Sequence, residues 1–205
     1  MSDTIADRST LEQHFDEPMD IALACMFDSL DKYHQQFIEH SPFVCLATSD
    51  KDGQPTISPK GDAPGFVRVV DENTLVMPDR IGNNKVESFH NLVENPKMGL
   101  IFMVPGMRET LRISAEASIT SDHEVLRFAQ VGKNPVKTGL LIKISKVYFH
   151  CGKAMIRSKL WEENSKIAPG TLPSFSQILK AQTKLDATDE EAEGLLENAY
   201  TNELY

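Results

Sequence analysis

Apolar residues along this chain change their spacing more than once. Between residues 19 and 40, Met19, Leu23, Met26, Phe27, Leu30, Tyr33 and Phe37 recur every three or four positions, the spacing of one helix face. One or two amphipathic helices are predicted there, ending at Ser41-Pro42 because the residue before a proline is pushed out of the α region. Strand-like runs follow. Residues 43–48 are apolar and β-rich, Asp50-Lys51-Asp52-Gly53 is a turn cluster, and residues 54–58 resume an extended pattern, which predicts a hairpin. Residues 66–70 and 74–77 repeat the arrangement around Asp71-Glu72-Asn73. Helical spacing returns over residues 85–94 with Val86, Phe89 and Val93 and stops at Asn95-Pro96. A third hairpin is predicted from residues 97–104 and 109–119, with Pro105-Gly106 between them and Leu111, Ile113, Ala115 and Ala117 alternating. A short polar helix around residues 122–130 then precedes a long strand over 139–149.

Hairpins with tight turns and few intervening helices predict a mainly β fold, an antiparallel barrel with flanking helices. Residues 1–18 are polar without sustained periodicity, and beyond Trp161 the chain turns polar again, acidic over 186–193 and weakly amphipathic over 190–200. Three parts follow: an N-terminal tail with helices over residues 1–40, a barrel domain over 41–161, and a polar, partly helical extension over 162–205.

Composition narrows the picture. With 40% hydrophobic and 25% charged residues in 205, the chain has ordinary globular usage. No apolar run approaches the roughly 18–20 residues that cross a bilayer, and residues 1–10 do not read as an export signal, so a cytoplasmic location without membrane partners is expected. Cys25, Cys45 and Cys151 form no close pair, which predicts reduced thiols and no metal site. A net charge of -9 disfavours nucleic acid as a partner, so any anion must be bound locally.

Three segments carry the residues for such a local site: Ser58-Pro59-Lys60-Gly61-Asp62, Pro78-Asp79-Arg80-Ile81-Gly82-Asn83-Asn84-Lys85, and Arg108-Glu109-Thr110-Leu111-Arg112. Fixed cations, amide and hydroxyl donors, and glycine-freed backbone N–H groups can together replace the water shell of a phosphate. Any one segment alone reads as a solvated polar turn; their combination points to an anion. Asn83-Asn84-Lys85 also opens the predicted 85–94 helix, where first-turn N–H groups favour anions, though an asparagine there also reads as an N-cap. Lys153, Arg157 and Trp161 recur at four-residue spacing, which would align them on one helix face. A solvated basic helix whose Trp161 covers the barrel end is the equal reading. His150 and Cys151 are adjacent and would face opposite sides of a strand, against a joint site. No serine-base-acid arrangement, P-loop or GxGxxG string supports a hydrolase, kinase or Rossmann reading.

The ordered strings Ser-Pro-Lys-Gly-Asp-Ala-Pro-Gly-Phe from Ser58, Pro-Asp-Arg-Ile-Gly-Asn-Asn-Lys from Pro78, Glu-Asn-Pro from Glu94 and Glu-Thr-Leu-Arg from Glu109 resemble a subgroup of the pyridoxamine 5′-phosphate oxidase-related flavoproteins. The resemblance spans residues 41–161. It implies a six-stranded antiparallel split β-barrel of the FMN-binding type, a homodimer with two FMN molecules at the subunit interface, and an FMN-dependent oxidoreductase acting on a small-molecule substrate. A sensor or carrier holding FMN or haem without turnover, and an F420-dependent reductase, are the alternatives; the acidic tail of F420 would need more basic residues than one phosphate does. By the resemblance, Ser58, Lys60 and Gly61 contact the flavin or its tail, and Pro78, Asp79, Arg80, Asn83, Asn84 and Lys85 belong to the segment that supplies phosphate contacts. Thr110 and Arg112 match an Arg-Gln-Val-Arg-like strand, with Thr110 where the family often has glutamine. Lys153, Arg157 and Trp161 match the segment that reaches toward the flavin of the dimer. No catalytic residue is implied. Residues 157–161 read Arg-Ser-Lys-Leu-Trp where the biosynthetic oxidase carries Arg-Leu-His-Asp-Arg, so its vitamin substrate is not expected.

Overall fold

The computed structural model describes residues 4–131 and 135–205; residues 1–3 of the polar tail lie outside the described residues. Three short helices come first, α1 (Arg8–Glu12), α2 (Asp20–Ala24) and α3 (Lys32–His40), followed by β1 (Phe43–Ser49), β2 (Pro55–Gly61), β3 (Arg68–Asp71) and β4 (Thr74–Pro78). Next come α4 (Glu87–Glu94), β5 (Lys97–Met103), β6 (Thr110–Thr120), α5 (His123–Leu126), β7 (Gly139–His150) and α6 (Lys153–Ser158). Two more helices, α7 (Phe175–Thr183) and α8 (Asp189–Asn202), complete the order.

The described residues thus form seven strands where six were expected. They make one antiparallel sheet in the order β2-β1-β5-β6-β7-β4-β3. No ladder joins the two edges, β2 and β3, among the described residues, so the barrel is not closed by backbone hydrogen bonds. The sheet nevertheless curls: Lys60 of β2 reaches Asp79, just past β4, through a 3.3 Å side-chain contact. One register shift lies between Ser114 and Ala115, where β6 pairs with β7, and such bulges bend a long pair of strands.

Alternation decides which side chains enter the core. On β1 the odd positions are half-buried while Val44, Leu46 and Thr48 are buried, and on β6 Leu111, Ile113, Ala115 and Ala117 are buried with exposed residues between them. The inward sets from β1, β4, β5, β6 and β7 form one apolar cluster with Phe37 and Ile38 of α3. β4 is buried at all five positions because its second face carries Val76 against Leu126, Ala129 and Val136.

One helix is tied to the sheet by hydrogen bonds and another by ring packing. Asn91 of α4 donates from Nδ2 to both Thr48 Oγ1 and Thr56 Oγ1 at 3.0 Å, bridging the β1–β2 hairpin. α3 starts with a capping box: the Asp31 carboxylate accepts from His34 N–H at 2.9 Å, and Asp31 N–H donates to His34 Nδ1 at 3.1 Å. The His34 ring is buried and stacks on Phe149 at 5.1 Å, with Phe27 edge-on at 5.6 Å.

The predicted apolar face of residues 19–40 is only partly used. Leu30 and Phe37 are buried, whereas Met19, Leu23, Met26, Phe27 and Tyr33 are exposed in the single chain, and α2 itself buries no residue. The basic face of α6 is shorter than expected. Lys159 enters the left-handed region at φ 53° and ends the helix, so Trp161 leaves the Lys153–Arg157 stripe and donates its indole N–H to the Met107 carbonyl at 2.7 Å. α7 was not anticipated, and it packs against α8 through Ser176–Glu193 and Lys180–Asp189 hydrogen bonds. Among the described residues no helix is long and apolar enough to cross a membrane.

Candidate anion-binding cleft

Alternation on β2 turns Thr56, Ser58 and Lys60 to the side of the strand facing α4 and the loop after β4. That loop, residues 79–86, returns along them, and the two segments enclose a cleft of about 260 Å³ lined by Ser58, Lys60, Asp79, Arg80, Asn83, Asn84 and Lys85. Two of the three segments singled out in the sequence therefore meet. Asp79 is anchored by its own N–H, which donates to the Thr138 carbonyl at 2.9 Å. Gly61 and Pro78 sit at the ends of β2 and β4, where they position the neighbours that line the cleft.

The far wall is strained. Asn84 and Val86 have φ of 56° and 42°, and a β-branched residue in the left-handed region is an outlier of the kind that collects at ligand sites. These turns curl the loop so that Asn83 Oδ1 accepts from Lys85 N–H at 3.0 Å. The helix begins later than the sequence suggested: Val86, without a side-chain cap, precedes α4, and neither Asn83 nor Asn84 is its N-cap. Ser88 and Phe89 of its first turn still line the cleft, so the positive end of the helix dipole borders it.

Every cation here has a carboxylate partner. Lys60 Nζ lies 3.3 Å from Asp79 Oδ1, Lys85 Nζ lies 3.4 Å from Glu87 Oε2, and Arg80 Nε donates to Asp62 Oδ2 at 2.5 Å. The pairs differ in hold. Arg80 is fixed further by Nη1 donating to the Ala129 carbonyl at 2.7 Å, whereas Lys60 makes one long contact and sits 6.0 Å from the Phe89 ring centroid. Burial works against the charge of Asp62; hydrogen bonds from Tyr205 and Ala63 N–H together with Arg80 outweigh it and hold the carboxyl below the ordinary range. Sequence reasoning missed Thr56, Glu87, Ser88 and Phe89 of the cleft lining and the Asp62 and Tyr205 partners of Arg80. Asp62 lies in the Ser58–Asp62 segment, but nothing in the sequence pointed to Tyr205.

The third segment lies elsewhere on the chain. Directly paired residues share a sheet face, and Arg112 pairs with Ile101, which pairs with Cys45, which pairs with Pro59. This outer row adjoins a second, in which Ile57, Ala47, Gly99 and Ser114 follow one another, with Ile57 73% exposed. The Arg112 guanidinium lies 5.4 Å from the Tyr148 ring centroid. Thr110 is buried at the start of β6 opposite His150. Gly152, Lys153 and Arg157 follow at the same end of the sheet, with Gly152 so close to Arg108 that a Cβ would lie 2.5 Å from its side chain. Among the described residues Arg112, Lys153 and Arg157 make no ion pair, in contrast to the cleft cations.

A larger, shallow groove of about 700 Å³ runs between α7 and α8 past Lys180, Lys184 and Asp189, with none of the singled-out residues in it. No group of three or more His, Cys, Asp or Glu among the described residues is placed to hold a metal ion.

The architecture and the cleft together define an antiparallel β-sheet protein with a polar cleft between an edge strand and a strained loop. The family model of pyridoxamine 5′-phosphate oxidase matches residues 30–151, more than half of the chain, and the chain belongs to that family. Among curated proteins none matches it. Of solved structures, a histidine-to-alanine variant of HupZ from Group A Streptococcus is 19% identical, with a TM-score of 0.49 over 58% of this chain and 98% of that one. An FMN-binding protein from Syntrophomonas wolfei is 17% identical, with a TM-score of 0.44 over 56% and 82%. An F420 reductase is 16% identical, with a TM-score of 0.42 over 59% and 98%.

Proposed function

We propose that this chain is a flavoprotein oxidoreductase that holds FMN between two copies of itself and acts on a small-molecule substrate. The observation that carries the reading is the meeting of Lys60, Arg80, Asn83, Asn84 and Lys85 around one cleft inside the region that matches the family. Charged and amide donors around one cavity suit a phosphate monoester. The cleft is somewhat smaller than the roughly 300–1,000 Å³ of a site that encloses a whole drug-sized ligand. It takes the phosphate end, and the remainder of the flavin lies against a second chain.

In that arrangement Lys60 leaves Asp79 to meet the phosphate, since its single 3.3 Å contact holds it less firmly than Arg80 is held, while Arg80 stays in place as a preorganised donor. Thr110, Arg112, Lys153, Arg157 and Trp161 approach from the partner chain, whose outer sheet face the dimer covers. The partly apolar rows through Ile101 and Ile57 give such a face something to bury. FMN, once bound, supplies hydride and single-electron transfer. The protein's part is to bind, orient and exclude water.

The test is the visible spectrum of the FMN-loaded protein during anaerobic photoreduction and reoxidation with a panel of small-molecule oxidants. Reoxidation by one of them far faster than for free FMN is expected of an oxidoreductase. A flavin that stays bound and reoxidises no faster than free FMN with every oxidant identifies a carrier instead.

A further inference from the structure

Arg80 is gripped on three sides, and one grip comes from the far end of the described chain. Besides Asp62 and the Ala129 carbonyl, its guanidinium lies 5.4 Å from the centroid of the Tyr205 ring. The Tyr205 hydroxyl donates to the other Asp62 oxygen, Oδ1, at 2.8 Å, across 143 positions of sequence. Tyr205 therefore touches both members of the Asp62–Arg80 pair, the ring on the cation and the hydroxyl on the anion.

Its place relative to the cleft decides what this contact can do. Arg80 lines the cleft and Tyr205 does not, so Tyr205 bears on the cleft through the guanidinium rather than by lining it. The two helices that precede it hold each other: Ala192 of α8 is buried, and Lys180 of α7 donates to Asp189 of α8 at 2.6 Å. A long guanidinium side chain loses rotamer freedom when it takes up an anion, and one held in place beforehand does not lose it again.

We propose that Tyr205 is a positioning residue of the anion site, holding Arg80 and Asp62 in the geometry that receives a phosphate monoester and so making the α7–α8 segment part of the site. The inference rests on the reading that the cleft takes the FMN phosphate. Tyr205 touches the ligand nowhere; it acts through Arg80.

The experiment compares wild type, Tyr205→Phe and Tyr205→Ala, each titrated with FMN and with riboflavin by flavin fluorescence. Loss of a cation–π contact and of a hydrogen bond to a charged group should weaken FMN about ten-fold in Tyr205→Ala. Riboflavin should change little, and Tyr205→Phe, which keeps the ring over Arg80, should fall between. Equal losses for the two ligands, or tighter FMN binding in Tyr205→Ala, overturn the proposal. A second readout needs no flavin: the Arg80 Nε–H resonance should exchange slowly with water in wild type and faster in Tyr205→Ala, and an unchanged rate also overturns it. Failure of wild type to bind FMN removes the reading of the cleft, while the exchange measurement still judges Tyr205.

Discussion

Lys60 and Arg112 face opposite sides of the sheet. Lys60 pairs with Val44, Val44 with Phe102 and Phe102 with Leu111, the inward row, whereas Arg112 belongs to the adjacent outward row with Ile101, Cys45 and Pro59. A ligand lying against one face of one chain meets one of them, and a ligand between two chains can meet both. Mixed dimers carrying Lys60→Ala on one chain and Arg112→Ala on the other should therefore keep one intact site and bind one FMN per dimer with wild-type affinity. Two weakened sites instead would place both residues in the site of a single chain. Flavin titration of purified mixed dimers reads the difference.

Asp79 pairs with Lys60, the cation proposed to meet the phosphate. Asp79→Asn should strengthen FMN by on the order of 1 kcal/mol, the scale of a partly exposed ion pair, with riboflavin unchanged. The gain should shrink as salt rises. Weaker FMN binding in this variant would assign Asp79 a direct contact with the ligand.

His34 makes stability depend on pH. Burial disfavours its charged form, and although Asp31 favours it, the net effect lowers the imidazole below its ordinary value of 6.5. The unfolded chain then takes up a proton at a higher pH than the folded one. The stability tied to the neutral ring is fully present above about pH 6.5 and is lost as pH falls toward the lowered folded value. Urea melts at pH 7.5 and 5.5 should show the decrease, and it should be smaller in His34→Gln. An identical pH response in that variant would assign the effect to other groups.

Two glycines should respond with opposite sign to alanine. A Cβ on Gly139 would lie 2.7 Å from the Met77 carbonyl oxygen and 2.6 Å from Leu126 Cδ2, within the β4–β7 ladder. Gly139→Ala should lower stability by about 1–3 kcal/mol, the scale of an overpacked site. At Gly194 of α8 a Cβ would meet nothing within 4 Å, so Gly194→Ala should raise stability by up to about 1 kcal/mol. Thermal melts compare the two directly.

The strands were legible in the sequence because alternation and turn residues coincide, as in Asp50-Lys51-Asp52-Gly53 between β1 and β2. What escaped depended on partners distant in sequence or on local backbone geometry. α7 reads as polar because little of it packs on the sheet, and the α6 stripe failed at Trp161 because Lys159 turns left-handed. Alternation within β6 was visible and β2 read as extended, but placing Lys60 and Arg112 on opposite faces requires the cross-strand register of four strands. The convergence of Ser58–Lys60 with residues 79–85 was anticipated, and the carboxylates that neutralise it were not.

Calorimetric titration of the flavin-free protein with FMN, beside riboflavin, haem and F420, decides what the cleft binds. One FMN per chain is expected, bound at least about ten-fold more tightly than riboflavin because charged hydrogen bonds hold the phosphate. No heat with FMN while haem or F420 binds tightly, or equal affinity for FMN and riboflavin, would contradict that expectation.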